Sequence, residues 1–244
     1  MKKLRVMTWN IHRAIGLDRR YRIGRIVDVI RHHQPDLVLL QEVDHGVPRS
    51  HRHKMELEIA HALEYPWHTW AQAHTLKEGS YGNSTLSKFP ITKRRVIDLT
   101  QGNKKKRNSL YVKIKVPGSP RHLHTFNWHL GLSATERHAQ VIRLFRSGTY
   151  KKIRPKEPLL LAGDTNDWRN LLFHSSGIQT EGFHAWSEHR RRQHIRTFPS
   201  PSPVGALDKI FWRGNLHQAH LHASKVKVTR VASDHLPLLA EFHL

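Results

Sequence analysis

Cysteine is absent from this chain. That excludes a disulfide staple, a thiolate zinc site and a cysteine nucleophile. It fits a reducing compartment without requiring one, since exported chains also occur without cysteine. No apolar run approaches the length of a membrane span. The opening Met1-Lys2-Lys3, followed by an alternating stretch from Leu4 to Asn10, lacks the apolar core and small-residue cleavage site of a secretory signal. These absences point to a soluble, cytoplasmic protein. Acidic residues are scarce: 19 Asp and Glu stand against 41 Lys and Arg, a formal charge of +22. Such a field attracts polyanions and speeds encounter with them. Nucleic acid is the favoured partner, an anionic lipid surface is the alternative, and non-specific stickiness is the bland explanation.

Histidine, by contrast, is plentiful at 22 residues. Pairs such as His51/His53 and His122/His124 have no fixed ligand spacing, and most such histidines are solvated or packed.

The 244 residues show no internal repeat and no linker, so one domain over 1–244 is expected, as a monomer. Leu4 to Trp9 alternates like a strand, and Asp36 to Gln41 is a compact apolar run like a buried one. Between them Ile23, Ile26, Val27 and Ile30 form a helical stripe that Pro35 stops. Met55, Ile59, Ala62 and Leu63 form a second, ended by Pro66. Ser84 to Ser87 is short and strand-like. Leu110, Val112, Ile114 and Val116 share one face of a strand, and Pro117 to Pro120 turns the chain back through His122–His129 as its antiparallel partner. Ser133-Ala134-Thr135-Glu136 is a capping box opening a helix to about Arg146. Leu159–Ala162 is another buried strand. After the Pro/Ser-rich loop at Pro199–Pro203, strand signals recur at Leu207–Trp212, Val226–Val228 and Leu238–Phe242. The basic runs Lys104–Arg107 and Arg190–Arg192 lie between strands, hence in loops. There a charge run is either a solvated face or a grip on a polyanion.

Polar residues sit at the ends of these strands. They are Asn10, Glu42, His129, Asp164 with Asn166, Asp208, and Asp234-His235. Each has a plain structural explanation: Asn10 and Asn166 as turn formers, Asp164 as a helix cap before Asp167-Trp168, Asp234 as an Asx-turn. Glu42 resists one, because a carboxylate after an apolar run is costly unless paired or bound to metal. Together they supply oxygen ligands for a hard cation (Glu42, Asn10), a base for water with an orienting amide (Asp164, Asn166), and donors for phosphoryl oxygens when protonated (His129, His235). Asp208 would raise the pKa of a histidine partner and fix its ring.

In order along nearly the whole chain, these motifs resemble the endonuclease/exonuclease/phosphatase superfamily, the fold of pancreatic-type deoxyribonuclease and the abasic-site endonucleases. The matching segments are Trp9-Asn10, Gln41-Glu42, Tyr81-Gly82-Asn83 with Leu86 to Pro90, Asn127 to Leu130, Glu136-Arg137, Gly163 to Asn166, Leu207 to Phe211, and Ser233-Asp234-His235. The resemblance implies an α+β class, four-layer α/β/β/α sandwich, with two mixed β-sheets packed face to face and helices outside. It implies catalytic roles for His129, Asp164, Asn166, Asp208 and His235. Asn10, Glu42 and Asp234 would hold Mg²⁺ (with Mn²⁺ as substitute), and Asn83 and Arg137 would bind substrate. His12 stands where the abasic-site branch has an acid, so a second metal there is not expected. Tyr81, placed in a loop before the Ser84 strand, is not carried over as that branch's catalytic tyrosine.

The expected function is a Mg²⁺-dependent nuclease on DNA or RNA, with Trp67, Trp70 and Trp186 as stacking or core residues. The alternatives are a phosphatase or phospholipase-like hydrolase of phosphoinositide, inositol phosphate or phospholipid headgroups, and a catalytically inactive nucleic-acid-binding module. A complete set of polar motif residues argues against the last.

Overall fold

The computed structural model describes residues 3–186 and 194–244. Six strands form one mixed sheet: β1 (Lys3–Asn10), β2 (Leu37–His45), β3 (Trp67–Thr75), β4 (Ser80–Ser87), β10 (His217–Ala223) and β11 (Leu238–His243), in the order β10-β11-β1-β2-β4-β3. The second sheet holds β5 (Ile91–Asp98), β6 (Asn108–Ile114), β7 (Leu123–His129), β8 (Leu159–Asp164) and β9 (Asp208–Arg213) in sequence order. Only β1/β2 and β7/β8 pair in parallel; every other pairing is antiparallel.

Strand alternation sorts side chains into layers. Leu4, Val6, Leu37 and Leu39 of the first sheet meet Leu110, Val112, Ile114, Leu160 and Ala162 of the second in a core between the sheets. The opposite parity of β1 and β2, with Met7, Trp9, Val38 and Leu40, packs under helices α1 (Ile23–His33) and α2 (Met55–Ala62). The opposite parity of the second sheet, with Phe126, Trp128 and Leu161, packs under α3 (Ala134–Arg146). This is the four-layer sandwich anticipated. Among the described residues no helix is long and apolar enough to cross a membrane.

Both predicted helical stripes, the hairpin of β6 and β7, and the cap at Ser133 are present. Ser133 Oγ accepts from Glu136 N at 3.3 Å. The reciprocal arm differs, since the Glu136 carboxylate accepts from Gln140 Nε2. Two readings need correction. Val226–Val228 is a turn leading into a helical turn, Thr229–Ala232, and Val228 is covered by the α1 layer rather than by a sheet. Tyr81 lies inside β4, not in a preceding loop. Of the basic runs, Arg190–Arg192 lies outside the described residues, while Lys104–Arg107 is a loop as expected.

Candidate active site

Register alone brings the strand-end residues together. In the second sheet His129 lies opposite Asp164, and Asp164 opposite Asp208, a polar row across β7, β8 and β9. In the first sheet Asn10 lies opposite Gln41. All share the parity that faces the inter-sheet core, so the chemistry begins where the apolar filling ends. Gly163 permits the approach: it sits at φ +139°, and a Cβ there would lie 2.0 Å from Trp128 O. Beneath the row an amide clasp ties the sheets. Gln41 Nε2 donates to Asn127 Oδ1 at 2.8 Å, and Asn127 Nδ2 to Leu40 O at 3.0 Å and Ser84 O at 2.8 Å. Glu42, at φ +55°, stands where the β2/β4 register shifts, and Asn166 is at φ +51°. A non-glycine residue held there costs on the order of 1–3 kcal/mol, which the surrounding structure must supply.

The Asp164 carboxylate is the hub. Its Oδ2 accepts from Asn10 Nδ2 at 3.0 Å and lies 3.3 Å from His129 Nε2 and 3.7 Å from His235 Nε2; its Oδ1 accepts from Asn166 N at 2.9 Å. Asn166 Nδ2 is anchored on Leu130 O at 3.0 Å. His235 Nδ1 bonds Asp208 Oδ2 at 2.8 Å, and that oxygen also accepts from Thr197 Oγ1 at 2.6 Å. Trp9 Nε1 holds His235 O at 2.8 Å, while Ser233 Oγ donates to Asn10 O at 2.7 Å.

Burial pushes the Asp164 carboxyl up to about 6, checked by His235 and reinforced by Asp208. For His235, burial opposes the charge, but Asp208 and Asp164 outweigh it and raise the imidazole to about 10. His129 goes the other way. Burial first, then the Arg107, His235 and Lys105 charges, hold it well below its ordinary value. At neutral pH the cluster is therefore a charged His235 between Asp164 and Asp208, beside a neutral His129. The expectation of two protonated histidines is corrected for His129, which donates only as a neutral ring.

Glu42 is met by Arg13 Nε at 3.2 Å. Arg13 comes from His12–Ala14, three successive residues in the left-handed region, with φ of 43°, 60° and 53°. Asp234 is bound through Ser233 Oγ at 3.3 Å, the same hydroxyl that holds Asn10. Among the described residues no group of three or more His, Asp or Glu is arranged to hold a metal ion. A closed zinc or calcium cage is thus a poor fit. Glu42, Asn10 and Asp234 each offer an oxygen, the ligand type that Mg²⁺ takes while keeping waters for the rest.

The two expected substrate binders are committed elsewhere. Asn83 Nδ2 is spent on Asn108 O at 3.2 Å and Oδ1 at 3.0 Å. Arg137 is buried, donating to Leu132 O at 2.6 Å and lying 3.7 Å from Asp167, so it fixes the loop after β7. Trp70 is half-buried with Nε1 on Val43 O, Trp186 is half-buried against the inter-sheet core, and Trp67 is 42% exposed on β3. Residues outside the expected site set also bear on the cluster. Arg107, from the basic run, is 6% exposed, is in no ion pair among the described residues, and acts on His129. Lys105 of the same run lies over the Tyr81 ring at 5.0 Å. Trp168, 54% exposed, packs edge-on to Phe198, whose ring centroid is 4.9 Å from that of His235. Thr197 and Phe198 carry no sequence signal, since only folding brings them beside Asp208 and His235.

A model of the endonuclease/exonuclease/phosphatase family matches residues 7–235. The chain is 32% identical over 248 residues to the uncharacterized protein YbhP of Escherichia coli strain K12, covering 98% of this chain and 96% of that one. Among solved structures it is similar to an endonuclease/exonuclease/phosphatase from Beutenbergia cavernae, with TM-score 0.80, 24% identity, and 100% and 72% of the two chains covered. It is also similar to a mannosyl-6-phosphatase of Bacteroides thetaiotaomicron, with TM-score 0.73, 16% identity, and 99% and 100% covered.

Proposed function

The chain belongs to the endonuclease/exonuclease/phosphatase family, and from that premise we propose that it is a Mg²⁺-dependent phosphodiesterase, a nuclease acting on DNA or RNA. The observation that carries the hydrolytic part is the convergence of Asn10, His129 and His235 on one oxygen of Asp164. Asp164 accepts the proton of the attacking water while Asn166 and Asn10 keep its carboxylate oriented. The water oxygen bonds to phosphorus as the ester oxygen leaves. Charged His235, steadied by Asp208, and the Nε2–H of neutral His129 donate to the phosphoryl oxygens. Mg²⁺ held by Glu42, Asn10 and Asp234 would neutralise charge on those oxygens.

The nucleic-acid preference rests on the exposed Trp168 against Phe198, whose ring meets His235, a face on which a base can stack, with the Arg107 charge acting on His129 as a cation for an adjacent phosphate. A second reading, a phosphatase on a phosphorylated sugar or inositol, is favoured by the likeness to the mannosyl-6-phosphatase. A panel of plasmid DNA, RNA, inositol phosphates, sugar phosphates and phospholipid vesicles at fixed ionic strength, with Mg²⁺ or Mn²⁺ and with EDTA, separates them. The expected result is metal-dependent cleavage of nucleic acid. Cleavage confined to monoesters or to vesicles would replace the nuclease, and no ester hydrolysis by metal-loaded protein would end the enzymatic reading.

A further inference from the structure

A second concavity lies on the outer face of the second sheet. Lys93 and Arg95 of β5 lie opposite Lys113 and Tyr111 of β6, and Lys113 lies opposite His124 of β7. One strand parity thus turns all five side chains away from the inter-sheet core. The segment from Gly148 to Ile153 walls one side, leaving a hollow of about 210 Å³ whose rim adds Lys152 and Glu157. His124 precedes His129 by five residues on the same strand, which at ~3.3 Å per residue puts the hollow about 17 Å from the catalytic row.

The charge here is unbalanced. Among the described residues, none of Lys93, Arg95, Lys113 and Lys152 is in an ion pair. The acid of the wall, Glu157, accepts from Arg154 N at 2.8 Å and faces His124 Nε2 at 3.6 Å rather than a lysine. The floor also holds an unspent donor. His124 is 4% exposed, and Nδ1 sits 2.9 Å from the Tyr111 hydroxyl. With that hydroxyl donating, the proton of the neutral ring is on Nε2, a buried atom without a hydrogen-bond partner. Glu157 lies at 3.6 Å, beyond good hydrogen-bond reach, so the donor is left for a ligand acceptor.

We propose that this hollow is a binding site for a small ligand carrying two or more phosphate groups. Four cations facing one engaged acid match a compact polyanion, with His124 Nε2–H as the fixed donor among mobile lysines. Lysine and arginine on an edge strand such as β5 also deter edge-to-edge pairing. That accounts for neither Lys113 and Lys152, which come from other elements, nor the unpaired His124 donor. The proposal is independent of the nuclease reading.

Titration calorimetry with inorganic pyrophosphate in EDTA at fixed ionic strength tests it. The K93Q/K113Q/K152Q variant should bind about 10-fold or more weakly, and His124→Phe should weaken binding as well. A control triple with the same charge loss elsewhere, K77Q/K225Q/K227Q, should stay within about twofold, as should ester hydrolysis by the pocket triple. Equal weakening in both triples would reduce the effect to the overall field and overturn the site, as would unchanged binding in the pocket triple. If a single-stranded oligonucleotide of about a dozen nucleotides loses affinity in the pocket triple while pyrophosphate does not, the hollow is part of a polymer track and the small-ligand assignment falls.

Discussion

His129 and His235 reach the same oxygen of Asp164, yet their surroundings separate their charges. The two carboxylates near His235 raise its pKa against burial; His129 is lowered, first by burial and then by the Arg107 charge. Replacing Asp164 by Asn removes the base, and His235→Ala removes the cationic donor. Each should lower the rate roughly 10²-fold or more, several kcal/mol of transition-state stabilisation, measured as kcat/KM on the substrate found in the panel. Near-wild-type rates in either variant would sink the assigned role. Most of this cluster was legible beforehand, because Asn10, His129, Asp164, Asp208 and His235 each end or follow an apolar run. What stayed hidden depends on folded proximity. Thr197, Phe198 and Trp168 flank the histidine pocket from segments with no periodicity, and Asn83 and Arg137 carry motif signals but spend their donors on structure.

Among the elements, the central strands and the buried edge strand β9 were visible, and the other three edges were not. β3, β5 and β10 each lie at a sheet edge, and hardly any of their residues, rich in His, Lys, Arg and Thr, is buried. An edge strand half in water has no reason to alternate cleanly, and charge there prevents further pairing. Val226–Val228 shows the converse, since Val228 is covered by a helix layer. The capping signal at Ser133 was sound, so Ser133→Ala should cost about 1 kcal/mol in denaturant unfolding. The clasp between sheets is more demanding. Asn127→Ala would take the amide donor from Leu40 O and Ser84 O in a buried layer, while Gln41 Nε2 keeps Thr8 Oγ1 and Leu39 O. Each orphan costs about 1–3 kcal/mol, so this variant should lose clearly more stability than Ser133→Ala in the same assay. Equal losses would mean that the clasp is replaced by water.

For the molecule as a whole, burial of neutral histidines sets an acid limit. Burial lowers His33 and His124 to about 4, against an ordinary 6.5, helped at His33 by His32 and His222 and opposed at His124 by Glu157. Between those values the unfolded chain binds protons that the folded chain refuses. Their contribution is therefore complete above pH 6.5 and lost as pH falls towards 4. The Tm of the wild-type protein should drop over this window, and His124→Phe should flatten part of the drop in thermal scans at pH 7.5, 5.5 and 4.5. An identical pH profile in that variant would show that His124 is not buried as a neutral ring. The same global view gives meaning to the bonds that close the cluster, Trp9 Nε1 to His235 O and Ser233 Oγ to Asn10 O, between residues more than 220 positions apart. A nascent chain emerging from the ribosome carries Asn10 early but cannot complete the cluster until residue 235 is free to dock. Hydrolysis should accordingly switch on at release rather than grow with chain length, and in refolding it should lag behind the return of secondary structure.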